Sequence, residues 1–177
     1  VGCQKTLTPQ EFTDYLNNPA NGFITENKTG HYNFSLQYLP PELISLQYVF
    51  SGIEKDFEKL KKESDSTLHF KLTICNTDSV PEDHKSPGYQ DKMNYLNTGI
   101  MENCLLISQN GDSIQPVIHL YEKGFNIKPC ENVLFGFENK KGLKLEKILI
   151  KAPLYFNGYR VFDIRKVKSL NVPKINL

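Results

Sequence analysis

Apolar and polar positions alternate with a period of two over several stretches of this chain. In residues 31–38, Tyr32, Phe34, Leu36 and Tyr38 alternate with His31, Asn33, Ser35 and Gln37, as a half-buried strand requires. Leu68, Phe70, Leu72 and Ile74 repeat the pattern in STLHFKLTIC. The second half reads as further strands: NCLLIS, IQPVIHLYE, NVLFGFE, LKLEKILIKAPLYF and YRVFDIRKV. Asn110-Gly111 and Asn157-Gly158 supply tight-turn signals between them. In LKLEKILI the apolar phase slips from Leu143 and Leu145 to Ile148 and Ile150, which predicts a β-bulge near Glu146-Lys147.

Three segments carry a helical period instead. Thr8, Pro9 and Glu11 form a capping-box start, with Phe12, Tyr15 and Leu16 on the apolar face that follows. Residues 41–64 place Leu43, Leu46, Phe50, Ile53, Phe57 and Leu60 at spacings of three and four. That spacing predicts one long helix whose stripe buries Phe50, Ile53 and Phe57 against a sheet. A short helix over residues 89–97 turns Met93 and Leu96 inward. The expected class is α+β: a mainly antiparallel sheet or sandwich, one long helix covering a face, and two short helices.

Composition narrows the partners. A chain of 177 residues, 39% hydrophobic and 23% charged, is long enough to bury one core without a metal or disulfide. Its formal net charge of +1 is spread along the sequence, which argues against nucleic acid as a partner. No stretch approaches the roughly 20 apolar residues of a membrane-spanning helix. Of the four cysteines, Cys3, Cys75, Cys104 and Cys130, none stands in a C-x-x-C pair. With Cys3 set aside, at most one disulfide can form; the reading from sequence is three small buried hydrophobes.

Cys3 precedes the first capping signal, where a core cysteine has no core to join. Val1-Gly2-Cys3 resembles the end of a lipobox, the cleavage site of Gram-negative bacterial lipoproteins, and the chain is similar to small uncharacterised outer-membrane lipoproteins of those bacteria. The resemblance implies acylation of Cys3, residues 1–7 as a lipidated tether and an outer-membrane location; the chain's length makes residues 8–177 a single domain. Asp65-Ser66-Thr67, Asp78-Ser79-Val80 and Asp112-Ser113-Ile114 are similar to triplets that some such bacteria O-glycosylate.

Candidate chemistry is sparse. The sequence has no G-x-S-x-G, H-E-x-x-H, P-loop or G-x-G-x-x-G. The four histidines, His31, His69, His84 and His119, fall on separate elements. Cys104 and His119, on consecutive predicted strands, are the one conceivable nucleophile–base pair, and no third group orients them. The polar loop of residues 76–88 gathers Asp78, Glu82, Asp83, His84 and Lys85, the first place to expect an interaction surface. Lys140, Lys141, Lys144, Lys147, Arg160, Arg165, Lys166 and Lys168 bias the C-terminal third toward positive charge. The expectation is a lipid-anchored, non-catalytic binding or assembly module of the envelope, with a protein or glycan partner, no cofactor and no metal. The alternative is an enzyme built on a Cys–His pair or a small metal site.

Acyl chains contribute about 0.8 kcal/mol per buried methylene, and stable anchoring needs more than one chain. Cys3→Ser should therefore move the protein from the membrane to the soluble fraction of fractionated cells; continued membrane association would refute lipidation at Cys3.

Overall fold

The computed structural model describes residues 6–78, 85–122 and 130–177; Cys3, Glu82, Asp83 and His84 lie outside them. Strand β1 (Thr6–Leu7) takes in the last two residues of the expected tether, and Leu7 is buried. Helix α1 (Pro9–Asn17) begins on the predicted capping box: the Thr8 amide donates to Glu11 Oε2 at 2.9 Å, and the Glu11 amide donates to Thr8 Oγ1 at 3.3 Å. Phe12 and Leu16 are its buried face. Strands β2 (Ile24–Thr29) and β3 (Tyr32–Leu39) form a hairpin that turns at Gly30.

The long helix predicted over residues 41–64 is two helices, α2 (Pro41–Phe50) and α3 (Phe57–Ser64). Gly52 takes φ 72°, the left-handed conformation that ends a helix. Asp56 then starts a new one, its carboxylate accepting from the Lys59 amide at 2.9 Å. The break corrects the expected stripe. Leu43 and Leu46 are buried in the core, but of the three residues expected under the helix Phe50 is 68% and Ile53 71% exposed, and only Phe57, partly buried, packs against it.

Strand β4 (Thr67–Asn76) buries every second residue: Leu68, Phe70, Leu72 and Ile74. Helix α4 (Pro87–Asn94) widens into a π turn over residues 95–99, with Met93 and Leu96 buried as predicted. There follow β5 (Cys104–Ser108), β6 (Ser113–Ile114), β7 (Ile118–Glu122), β8 (Cys130–Glu138), β9 (Leu145–Lys151), β10 (Tyr159–Asp163) and β11 (Lys174–Ile175). The predicted bulge is present. Ile107 pairs with Lys147 and Ser108 with Leu145, which leaves Glu146 as the extra residue.

The strands form a five-stranded antiparallel sheet in the order β2-β3-β4-β8-β7 and a four-stranded antiparallel sheet in the order β10-β9-β5-β6. A two-stranded parallel pair, β1-β11, ties the chain ends together. The architecture is α+β and mostly antiparallel, with four α-helices among the described residues. One core joins the two sheets; Phe34 of the larger meets Phe156, in the β9–β10 connection, at 5.1 Å between ring centroids. No helix among the described residues is long and apolar enough to cross a membrane.

Cys75 and Cys130, opposite each other on β4 and β8, form a disulfide, so the reading of three buried thiols holds for Cys104 alone. The bond closes a sequence separation of 55 residues. Chain-entropy reasoning gives such a crosslink about 4 kcal/mol of stabilisation. A Cys75→Ala/Cys130→Ala variant should accordingly unfold at a clearly lower denaturant concentration than the oxidised protein, and an unchanged midpoint would show that the bond is not formed.

Candidate functional site

The two faces of the larger sheet differ in what covers them. On the inner face, Phe34, Leu36 and Tyr38 of β3 lie in register with Ile74, Leu72 and Phe70 of β4, and Val133 and Phe135 of β8 continue the rows. All of these are buried. The outer face presents Gln37 and Leu39 of β3, His69 and Lys71 of β4, Leu134 of β8, and Ile118 and Leu120 of β7.

Edge strand β7 carries the alternation inverted. Ile118 and Leu120 are exposed, at 43% and 53%, while His119 and Tyr121 turn inward. Polar partners hold them there. His119 Nε2 lies 2.9 Å from the Leu96 carbonyl oxygen, and the Tyr121 hydroxyl donates to Glu131 Oε2 at 2.6 Å. Burial and the Glu131 carboxylate push the Tyr121 phenol well above its ordinary pKa, which keeps it the donor. Gly136 of β8 admits the crossing of Ile118. A β-carbon there would meet Ile118 Cβ at 2.8 Å and Thr67 Cγ2 at 2.9 Å.

Helix α2 supplies the opposite wall. Its sequence, PELISLQYVF, is apolar nearly all round. A helix of that kind is ordinarily buried on every side. Leu43 and Leu46 are buried, yet Tyr48 and Phe50 stay exposed. Between this helix, Ile53 and the outer sheet face runs a groove of about 540 Å³, within the ~300–1,000 Å³ of small-molecule sites. Its walls include Leu43, Ile44, Tyr48, Ile53, Leu134, Ile118 and Leu120. Gln37, whose amide donates to the Leu16 carbonyl and to Asn17 Oδ1, fixes the end of α1 beside it.

Besides the Tyr48 phenol, His69, Lys71 and Glu122 are the titratable side chains that line this apolar groove among the described residues. His69 Nδ1 is buried with no hydrogen-bond partner among the described residues. Burial lowers the His69 pKa, with the nearby Thr67 backbone acting the other way. Burial also lowers the Lys71 pKa, with weak opposition from Glu122. A sequence reading that takes apolar residues as core had no means of finding this surface. The signal it could have used is Lys71, a charged residue in the middle of the strand with the cleanest alternation.

The residues singled out by sequence lie elsewhere. Asp78 Oδ1 is 2.7 Å from His31 Nδ1 in an exposed pair, and the Asp78 amide donates to Asn76 Oδ1. Lys85 lies in the turn before α4, while Glu82, Asp83 and His84 lie outside the described residues. Cys104 and His119 do not form a pair. The predicted strand IQPVIHLYE is split around Gln115-Pro116-Val117, so Cys104 belongs to the four-stranded sheet and His119 to the five-stranded one. Full burial pushes the Cys104 thiol far above its ordinary pKa, which leaves it protonated. The C-terminal basic residues are partly matched: Lys140 with Glu138, Lys147 with Glu146, and Arg165 with Asp163.

No family model matches this chain, and no curated protein does. Solved structures do resemble it, two of them as follows. The crystal structure of a DUF4426 family protein from Pseudomonas aeruginosa PAO1 is 7% identical, with a TM-score of 0.41 over 80% of this chain and 90% of that one. A novel protein of unknown function from Burkholderia pseudomallei K96243 is 12% identical, with a TM-score of 0.39 over 96% of each chain. Likenesses this slight carry nothing about function.

A half-buried lysine with no hydrogen bond or ion pair among the described residues, as Lys71 is, costs the fold part of its solvation. Lys71→Met should raise the thermal midpoint at neutral pH, by about 2–4 °C for each kcal/mol recovered. His69 gives an acid-side signature. Its native pKa lies below the unfolded value of 6.5, so the unfolded chain takes up the proton first. The contribution is complete above that value and is lost as pH falls toward the native pKa; His69→Leu should remove that part of the loss. A Lys71→Met protein that melts earlier than the parent would overturn the view of Lys71 as desolvated.

Proposed function

We propose that this chain is a non-catalytic binding module of the bacterial envelope, held at the outer membrane through Cys3, with the groove on the outer face of the five-stranded sheet as its working surface. The observation that carries the reading is the inverted edge strand. The chain holds His119 and Tyr121 inside with hydrogen bonds and leaves Ile118 and Leu120 facing water. Tyr48 and Ile53 face them across the groove, also exposed. Contiguous exposed apolar surface of this kind marks an interaction site. Its apolar walls favour a hydrophobic partner over a glycan, and the matched basic residues of the C-terminal third add no strong case for an anionic polysaccharide.

The Cys75–Cys130 disulfide supports the envelope part of the reading, since such bonds persist in the periplasm and are rare in the cytosol.

A neutral hydrophobic dye tests the surface directly. Nile red should bind the folded protein with a fluorescence gain, and Ile53→Asp/Leu120→Asp should abolish that gain. Both substituted positions are exposed, so the thermal midpoint should hold within the small range of surface substitutions. Dye binding that is absent, or that survives the double substitution, would defeat the groove as the working surface.

A further inference from the structure

We infer that the groove takes an amphiphile with a single aliphatic chain and a carboxylate head, with the head seated at Lys71; this rests on the reading of the groove as the binding surface. Lys71 lies between Gln37 of β3 and Leu134 of β8 in the register of the outer face. No hydrogen bond or ion pair satisfies its ammonium among the described residues. Glu122, the one acidic group lining the groove, stands on the edge strand two strands away. Among the described residues the site is therefore apolar at its walls, with the Lys71 ammonium on its floor in no ion pair and Glu122 at its far edge. A ligand complementary to it has one negative charge and an aliphatic body.

The same geometry weighs against a peptide. A peptide that added to the outer edge of β7 would lie three strand spacings, about 14 Å, from the β4 backbone that carries Lys71. A peptide laid flat on the outer face would surrender backbone hydrogen bonds to water and meet side chains in return. An aliphatic chain has no such groups to satisfy. It can lie along Leu120, Leu134 and Ile53 while its carboxylate accepts charge-assisted hydrogen bonds from Lys71. A single lysine suits a carboxylate, whereas a phosphate dianion calls for further cations or an arginine fork.

The test is calorimetric titration of the full chain at pH 7.5 with decanoate, decanol and decyltrimethylammonium, each below its micelle concentration, with Nile red run in parallel. Decanoate should bind about tenfold or more tightly than decanol, the margin of a charge-assisted hydrogen bond, and the cation should bind most weakly. Lys71→Met and Lys71→Gln, both checked for native circular dichroism, should bring decanoate down to the level of decanol. Equal affinities on the parent, or a preference that survives both substitutions, would overturn the inference and leave the groove standing as a neutral apolar site. Decanoate that gives no heat while Nile red binds would overturn it in the same way. If an alternating Leu/Glu peptide binds where decanoate does not, the occupant is a protein. Absence of Nile red binding together with absence of decanoate binding would remove the groove reading itself.

Discussion

The fold depends on how the five-stranded sheet is covered, because β4, its middle strand, has one face that must be buried and another that is only partly covered. Leu68, Phe70, Leu72 and Ile74 set the inner face, and their rows run in register through β3 and β8. Each such side chain contributes about 1.5–3 kcal/mol when fully buried. The second sheet and the Met93–Leu96 stretch share the core with them. His69, Lys71, Thr73 and Cys75 set the outer face. The disulfide closes one end of that face, α2 shelters part of the other, and the groove is what remains between.

The edge strand shows which forces decide the outcome. A slip of one residue in β7 would bury Ile118 and Leu120 and expose His119 and Tyr121, since side chains alternate with a period of two. Hydrophobic burial alone favours that slipped arrangement. The bonds from His119 to the Leu96 carbonyl and from Tyr121 to Glu131 hold the observed one. Directional bonds inside thus expose an apolar row outside. Helix α2 adds a second apolar row from a helix with no polar side to turn to water, and Lys71 adds a positive charge between them that no ion pair among the described residues meets.

Much of the fold was legible in the sequence where the signal was local. The Thr8–Glu11 capping box, the β4 alternation, the inward Met93 and Leu96, and the bulge at Glu146 each depend on a few neighbouring residues. The 41–64 stripe misled because its spacing continues through Gly52, where the chain turns left-handed, and because Asp56 was passed over as a helix start. The split of IQPVIHLYE at Pro116 was equally hidden, and with it the separation of Cys104 from His119. The groove was the least legible feature, being assembled from α2, β4, β7 and β8. It uses as surface the side chains that a periodicity argument assigns to the core.

The account rests on Lys71 being a half-buried cation on an apolar face, with no hydrogen bond or ion pair among the described residues, and heteronuclear NMR of its side-chain Cε and Nζ signals across the alkaline range tests that directly. In the free protein Lys71 should titrate below the ordinary lysine value, and its midpoint should move up when a carboxylate amphiphile is added. A Lys71 that titrates together with the exposed lysines, unmoved by the amphiphile, would contradict the account.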